Sequence, residues 1–141
     1  MCYAAGIPIQ KLAGSNTSVF AGSFSTDYSD MTLRDPETMQ PSYKTGNGIA
    51  MLSNRISHFY DFQGASMTID VGCSTGLVAL HQACQSLRCG ESDVSVVGSS
   101  LVCLSPDMFI AMAIAGYDHF VAFPTLAVPL TDSYQRARPY W

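Results

Sequence analysis

Residues Ser66–Gly98 read SMTIDVGCSTGLVALHQACQSLRCGESDVSVVG. Ser66–Val71 (SMTIDV) has the pattern of a short strand, and Asp93–Gly98 (DVSVVG) that of a β-branched one. Between them Leu77, Leu80, Cys84 and Leu87 recur at helical spacing. They predict the buried face of an amphipathic helix, closed by Gly90. A strand, a helix and a strand in this order form a βαβ unit, which implies a parallel sheet. Cys73 falls at the junction where the first strand gives way to the helix.

That placement has chemical consequences. The first amides of a helix have no partner within it, and the helix dipole puts partial positive charge there. A thiol at such a point is favoured as thiolate, its reactive form, and free N–H groups nearby can hold an oxyanion. Gly72 and Gly76 leave room for a thin chain to approach. The plainer reading is a small buried hydrophobe, as most free cysteines are. Gly72-Cys73-Ser74-Thr75-Gly76 also matches the G-x-S-x-G nucleophile elbow of hydrolases, with Ser74 as nucleophile. Asp107 or Asp118, followed by His119, would complete that alternative.

Upstream, Gly48–Tyr60 is a predicted helix, with Ile49, Leu52, Ile56 and Phe59 at helical spacing and Asn47 as its N-cap. Thr17–Gly22 (TSVFAG) is a predicted strand, and the segment up to Gly14 reads as a helix end and a loop. Ser23–Tyr43 is polar and punctuated by Asp35-Pro36, which predicts a surface excursion. Downstream, Tyr117–Trp141 is rich in proline and aromatics and has no clear period.

The 141 residues fit one domain, and 48% hydrophobic against 13% charged residues provide for a real core. A net charge of −4 with no basic cluster argues against nucleic acid as a partner; Arg136 and Arg138 are too few. The five cysteines Cys2, Cys73, Cys84, Cys89 and Cys103 are odd in number and lack CxxC spacing. A disulfide framework or a metal site is therefore a poor reading, and free thiols in a reducing, cytoplasmic setting fit better. The N-terminus lacks the basic and apolar regions of a signal peptide. The run Phe120–Leu130 is short and broken by Pro124 and Pro129, so no membrane span is expected.

Several segments follow one another in a single order: AGIPIQKLAGSNTSVFAGSFSTDYSDM (5–31), RDPETM (34–39), TGNGIAMLSNRIS (45–57), DVGCSTGLVALHQACQSLRCGESDVSVVGSS (70–100) and LSPDMFIAM (104–112). Together they resemble the β-ketoacyl synthase domain of fungal, highly reducing, type I polyketide synthases. The resemblance implies an α/β, partial thiolase-like fold, the N-terminal half of a ketosynthase, with a mostly parallel sheet and packed helices. It implies a division into residues 1–116, the partial ketosynthase domain, and 117–141, a tail that departs from the family. Enzymes of this kind take an acyl group on a cysteine as a thioester. They then condense it with a decarboxylating malonyl unit in polyketide or fatty-acid-type biosynthesis.

The family motif runs close to Asp-Thr-Ala-Cys-Ser-Ser-Ser-Leu, and Asp70, Cys73, Ser74 and Leu77 match it. The resemblance therefore assigns the nucleophile to Cys73, with its own N–H as one oxyanion donor. Asp70 ends a buried strand, where a carboxylate needs partners, and is expected to order the turn by hydrogen bonds instead of acting as an acid or base. No cofactor is bound directly; substrates arrive on the phosphopantetheine of an acyl carrier protein, as acyl or malonyl thioesters. A homodimer or a ketosynthase-type partner is the implied assembly, with neither nucleic acid nor membrane. Val71, Gly72, Thr75 and Gly76 depart from the motif and mark a divergent member, as do His58 and Ala65.

The two histidines that such enzymes use to activate the malonyl thioester belong to motifs absent from these residues. His58, His81 and His119 match neither: His58 ends a helix, His81 flanks the buried stripe, and His119 lies in the tail. A catalytically incomplete pseudo-domain or partner-binding fragment is thus the alternative to an acyltransferase, ahead of the Ser74 hydrolase. Of the remaining polar residues, Arg55 is expected to pair with an acid or cap a sheet edge. Cys84 is expected in the core and Cys89 at the surface.

Overall fold

In the computed structural model of the chain, residues 8–116 and the backbone of 126–131 are described. A 3-10 turn at Ile9–Lys11 leads into strand β1 (Thr17–Ser23). Helix α1 (Asp27–Leu33), a second 3-10 turn at Pro36–Thr38 and helix α2 (Tyr43–Asn47) follow, and then helix α3 (Met51–Tyr60) and strand β2 (Ser66–Ile69). Helix α4 (Thr75–Arg88), strand β3 (Val94–Ser100), helix α5 (Asp107–Ile114) and strand β4 (Leu126–Thr131) complete the order. The sheet order is β2-β1-β3-β4. β1 runs parallel to both β2 and β3, and β4 runs antiparallel to β3. The βαβ unit expected from residues 66–98 is present, with β1 lying between its two strands. No helix among the described residues is long and apolar enough to cross a membrane.

β1 is buried over Thr17–Gly22 and covered on both faces, as a central strand of a parallel sheet should be. Val19 and Val96, paired in register, join Leu12 and Phe62 in a cluster completed by Ile56 and Tyr60 of α3. One residue along, Phe20 and Val97 point the other way and pack with Ala79, Ala83 and Leu87 of α4. Alternation along two adjacent strands thus serves two helical layers. At the amino ends of β1 and β3 the buried hydroxyls of Ser18, Ser86, Ser92 and Ser95 satisfy one another at 2.9–3.0 Å.

Two helical faces differ from expectation. On α4 the buried residues are Thr75, Ala79, Ala83, Ser86 and Leu87, whereas Leu77 is 72% exposed and Leu80 also faces out. Small residues share the same helical period as the leucines, and close approach to the sheet selects them. A Cβ on Gly22 of β1 would lie 2.5 Å from Thr75 Cγ2, and one on Gly76 would lie 3.2 Å from Ser99 Cβ. On α3, Ser53 is buried and Ile56 packs against the core, while Leu52 and Phe59 are exposed, as is Ile49 in the turn before the helix. Asn47 ends α2 instead of capping α3; extended Gly48 separates the two, and Ala50 holds the cap position.

Ser23–Tyr43 is a surface excursion as expected, yet it contains α1, whose first turn carries Asp27 and Asp30. The 117–141 tail contributes β4, although no period predicted it; the rest of that tail lies outside the described residues. Pro129 lies in β4, the last strand of the sheet among the described residues, and edge strands are where a sheet accommodates proline.

Gly22→Ala is expected to destabilise the chain by about 1–3 kcal/mol in urea unfolding, because its methyl group meets Thr75. Gly46→Ala in α2, where a Cβ would meet nothing within 4 Å, should stay within about 0.5 kcal/mol of the parent.

Candidate active site at the turn between β2 and α4

The parallel strands β1, β2 and β3 end on the same side of the sheet, and the turn carrying Cys73 sits at that edge. Clefts outside the carboxyl ends of parallel strands are where open α/β sheets place their ligands. Cys73 is exposed, one residue before the N-cap Ser74 of α4. Gly72 takes a positive φ of 71°, which turns the chain sharply between strand and helix.

Three side chains shape this turn. The Asp70 carboxylate accepts from the Gly72 N–H at 3.1 Å. Asp70 thus orders the turn as anticipated, from an exposed position. The Ser74 hydroxyl donates to the Val71 carbonyl at 3.3 Å. Thr75, 2% exposed, accepts from the Val71 N–H at 3.0 Å and donates to the Gly72 carbonyl at 2.6 Å. Val71 and Cys73 form an isolated β-bridge, and the amides of Cys73 and Ser74 take no side-chain hydrogen bond among the described residues. They lie beside the thiol at the positive end of a fourteen-residue helix. Phe24 borders the turn, its ring edge 3.7 Å from where a Cβ on Gly72 would lie.

The other candidates are dispersed. Cys84 is half-buried against the Phe20 cluster, Cys89 is exposed at the end of α4, and Cys103 Sγ lies 3.7 Å from Met108 Sδ. His58 and His81 are exposed on α3 and α4. Cys2, Asp118, His119, Arg136 and Arg138 lie outside the described residues. Among the described residues Arg55 pairs with no acid; it donates to the Thr45 carbonyl at 3.2 Å. A cavity of about 530 Å³, lined by Ser23, Asp27, Leu52, Arg55, Val102 and Leu104 among others, opens at the end of β1; Cys73 is not in its wall.

Asp107, offered as the acid of a serine triad, is paired with Arg34 of the segment after α1. The Ser105 hydroxyl and the Arg34 guanidinium hold its carboxyl below the usual carboxylate range. Asp27 in turn accepts from the Leu104 and Ser105 amides at 2.9 and 3.2 Å, tying α1 to the start of α5. The sequence missed these links because their partners are more than seventy residues apart.

A family model for the β-ketoacyl synthase N-terminal domain matches residues 2–119. The chain belongs to the β-ketoacyl synthase family, a family of condensing enzymes. It is 55% identical over 112 residues to a highly reducing polyketide synthase of Leptosphaeria maculans, which covers 79% of this chain and 4% of the relative. It is 56% identical over 113 residues to the compactin diketide synthase of Penicillium citrinum, covering 80% and 4%.

Among solved structures, it resembles an oxazolomycin ketosynthase domain of Streptomyces albus, with a TM-score of 0.70 and 31% identity over 82% of this chain and 20% of that one. It also resembles a ketosynthase from module 6 of the bacillaene synthase of Bacillus subtilis, with a TM-score of 0.68 and 30% identity over 79% and 18%. The fold is therefore thiolase-like, and the chain spans about a fifth of a solved ketosynthase chain.

A depressed Asp107 carboxyl contributes stability above its unfolded pKa, and that contribution is lost as pH falls through the lower folded value. In a carboxyl NMR titration, Arg34→Ala should move the Asp107 midpoint upward. An unchanged midpoint would show that the ion pair is not formed in solution.

Proposed function

We propose that the chain carries the acyl-accepting part of a ketosynthase, with Cys73 as the nucleophile. The observation that carries this reading is the exposed thiol at the turn from β2 into α4, one residue before the helix N-cap. In the loading step, Cys73 Sγ bonds to the carbonyl carbon of a thioester. The bond from that carbon to the donor sulfur breaks, and the proton lost from Cys73 ends on the departing thiol. The Cys73 and Ser74 amides face the oxygen that gains charge. The donor is an acyl group on the phosphopantetheine of an acyl carrier protein.

The subsequent decarboxylative Claisen condensation uses two histidines of later ketosynthase motifs, which the 141 residues do not contain. The reading therefore assigns acyl loading to this chain and condensation to groups beyond these residues. A second reading, a partner-binding ketosynthase piece without chemistry of its own, draws support from its exposed apolar side chains. Leu77, Phe59 and Ile114 are 72%, 79% and 82% exposed, as expected of a surface meant to be covered.

Exposure to a butyryl N-acetylcysteamine thioester, followed by intact mass and peptide mapping, separates the two. Loading predicts one butyryl adduct on Cys73, lost in Cys73→Ala. No adduct, or equal labelling of all cysteines, would leave the partner-binding reading.

A further inference from the structure

We propose that Thr75 is the positioning residue for Cys73, and that its hydroxyl is what holds the thiol's turn in one conformation. This rests on the reading of Cys73 as nucleophile. Thr75 is 2% exposed, yet its side chain turns back on the chain instead of joining the apolar layer. Its Oγ1 accepts from the Val71 N–H at 3.0 Å and donates to the Gly72 carbonyl at 2.6 Å. The Thr75 N–H donates to the same carbonyl at 3.1 Å. The two residues just before the nucleophile are thereby fastened to the first residue of the helix after it.

The fastening matters because Gly72 is the weak point. At φ 71° a glycine is at ease, but it is equally at ease elsewhere, so nothing in its own backbone holds the turn. Asp70 adds one bond from an exposed position, where water competes. The Thr75 bonds are part-buried, their hydroxyl coming from a residue 2% exposed, and losing it would leave the Val71 N–H without this partner. The Thr75 methyl acts separately, filling the space above Gly22, where a Cβ would come within 2.5 Å of it. One side chain thus anchors the helix to β1 with its methyl and sets the nucleophile turn with its hydroxyl. The two roles separate by substitution. Thr75→Val keeps the packing and removes the hydroxyl; Thr75→Ser keeps the hydroxyl and removes the methyl.

The test compares the full chain, Thr75→Val and Thr75→Ser in two measurements. The first is the rate of Cys73 acylation by butyryl N-acetylcysteamine, with exposed Cys89 at the far end of α4 as internal reference. Thr75→Val should slow Cys73 on the order of tenfold or more and leave Cys89 unchanged, with Thr75→Ser restoring the rate. The second is hydrogen exchange at the Val71 amide, which should be protected in the parent and Thr75→Ser and unprotected in Thr75→Val.

Equal Cys73 rates in all three proteins, or a Thr75→Ser rate as low as that of Thr75→Val, would overturn the assignment. If the parent's Cys73 acylates no faster than Cys89, the nucleophile reading fails. The exchange measurement then decides on Thr75 by itself: unchanged Val71 protection in Thr75→Val overturns its role in the turn, and lost protection sustains it.

Discussion

The close approach of α4 to the ends of β1 and β3 is the constraint on which the rest of the structure depends. Gly22, Ser99, Thr75 and Gly76 meet where no larger side chains fit, so the helix starts directly above the strand ends. That seat fixes which face of α4 is buried. It also brings Thr75 within reach of the Val71 and Gly72 backbone and leaves Cys73 at the surface. A bulkier contact would lift the helix and loosen the turn together. Packing and chemistry therefore share one set of small residues.

The second consequence concerns what α4 presents outward. With small residues taking the sheet side, Leu77 and Leu80 are left on the far side, and Phe59 and Ile114 add to the exposed apolar area. The outer face of α4 is mixed, with Leu77 and Leu80 beside exposed His81, Gln82, Gln85 and Arg88. The chain spans about a fifth of the ketosynthases it resembles in structure. The cavity beside β1 does not include Cys73 in its wall, and the thiol is exposed.

Much of this was legible in residues 66–98. The strand–helix–strand order, the parallel sheet and the place of Cys73 follow from period and punctuation alone. The buried face of α4 followed at its end, where Leu87 is buried and Cys84 packs against the core, but not at its start, where hydrophobic size points to Leu77 and Leu80 whereas closeness to the sheet demands Ala79 and Ala83. The start of α3 was misplaced because Asn47 suits a cap but is taken up by α2. β4 carries no period, since its pairing is set by β3 and not by its own pattern. Thr75 looked like a minor departure from a family motif. Its two-way hydrogen bonding depends on a positive φ at Gly72, which spacing does not reveal.

The central claim is that this turn favours acyl transfer and not merely thiol exposure. Two amides poised for an oxyanion accelerate attack on a thioester carbonyl but give no help to displacement of iodide from iodoacetamide. The decisive measurement is therefore the ratio of Cys73 to Cys89 labelling rates with each reagent, by peptide mapping at limiting reagent. The account predicts a ratio on the order of tenfold larger with the thioester than with iodoacetamide. The same ratio with both reagents would contradict it, leaving Cys73 as no more than an accessible cysteine.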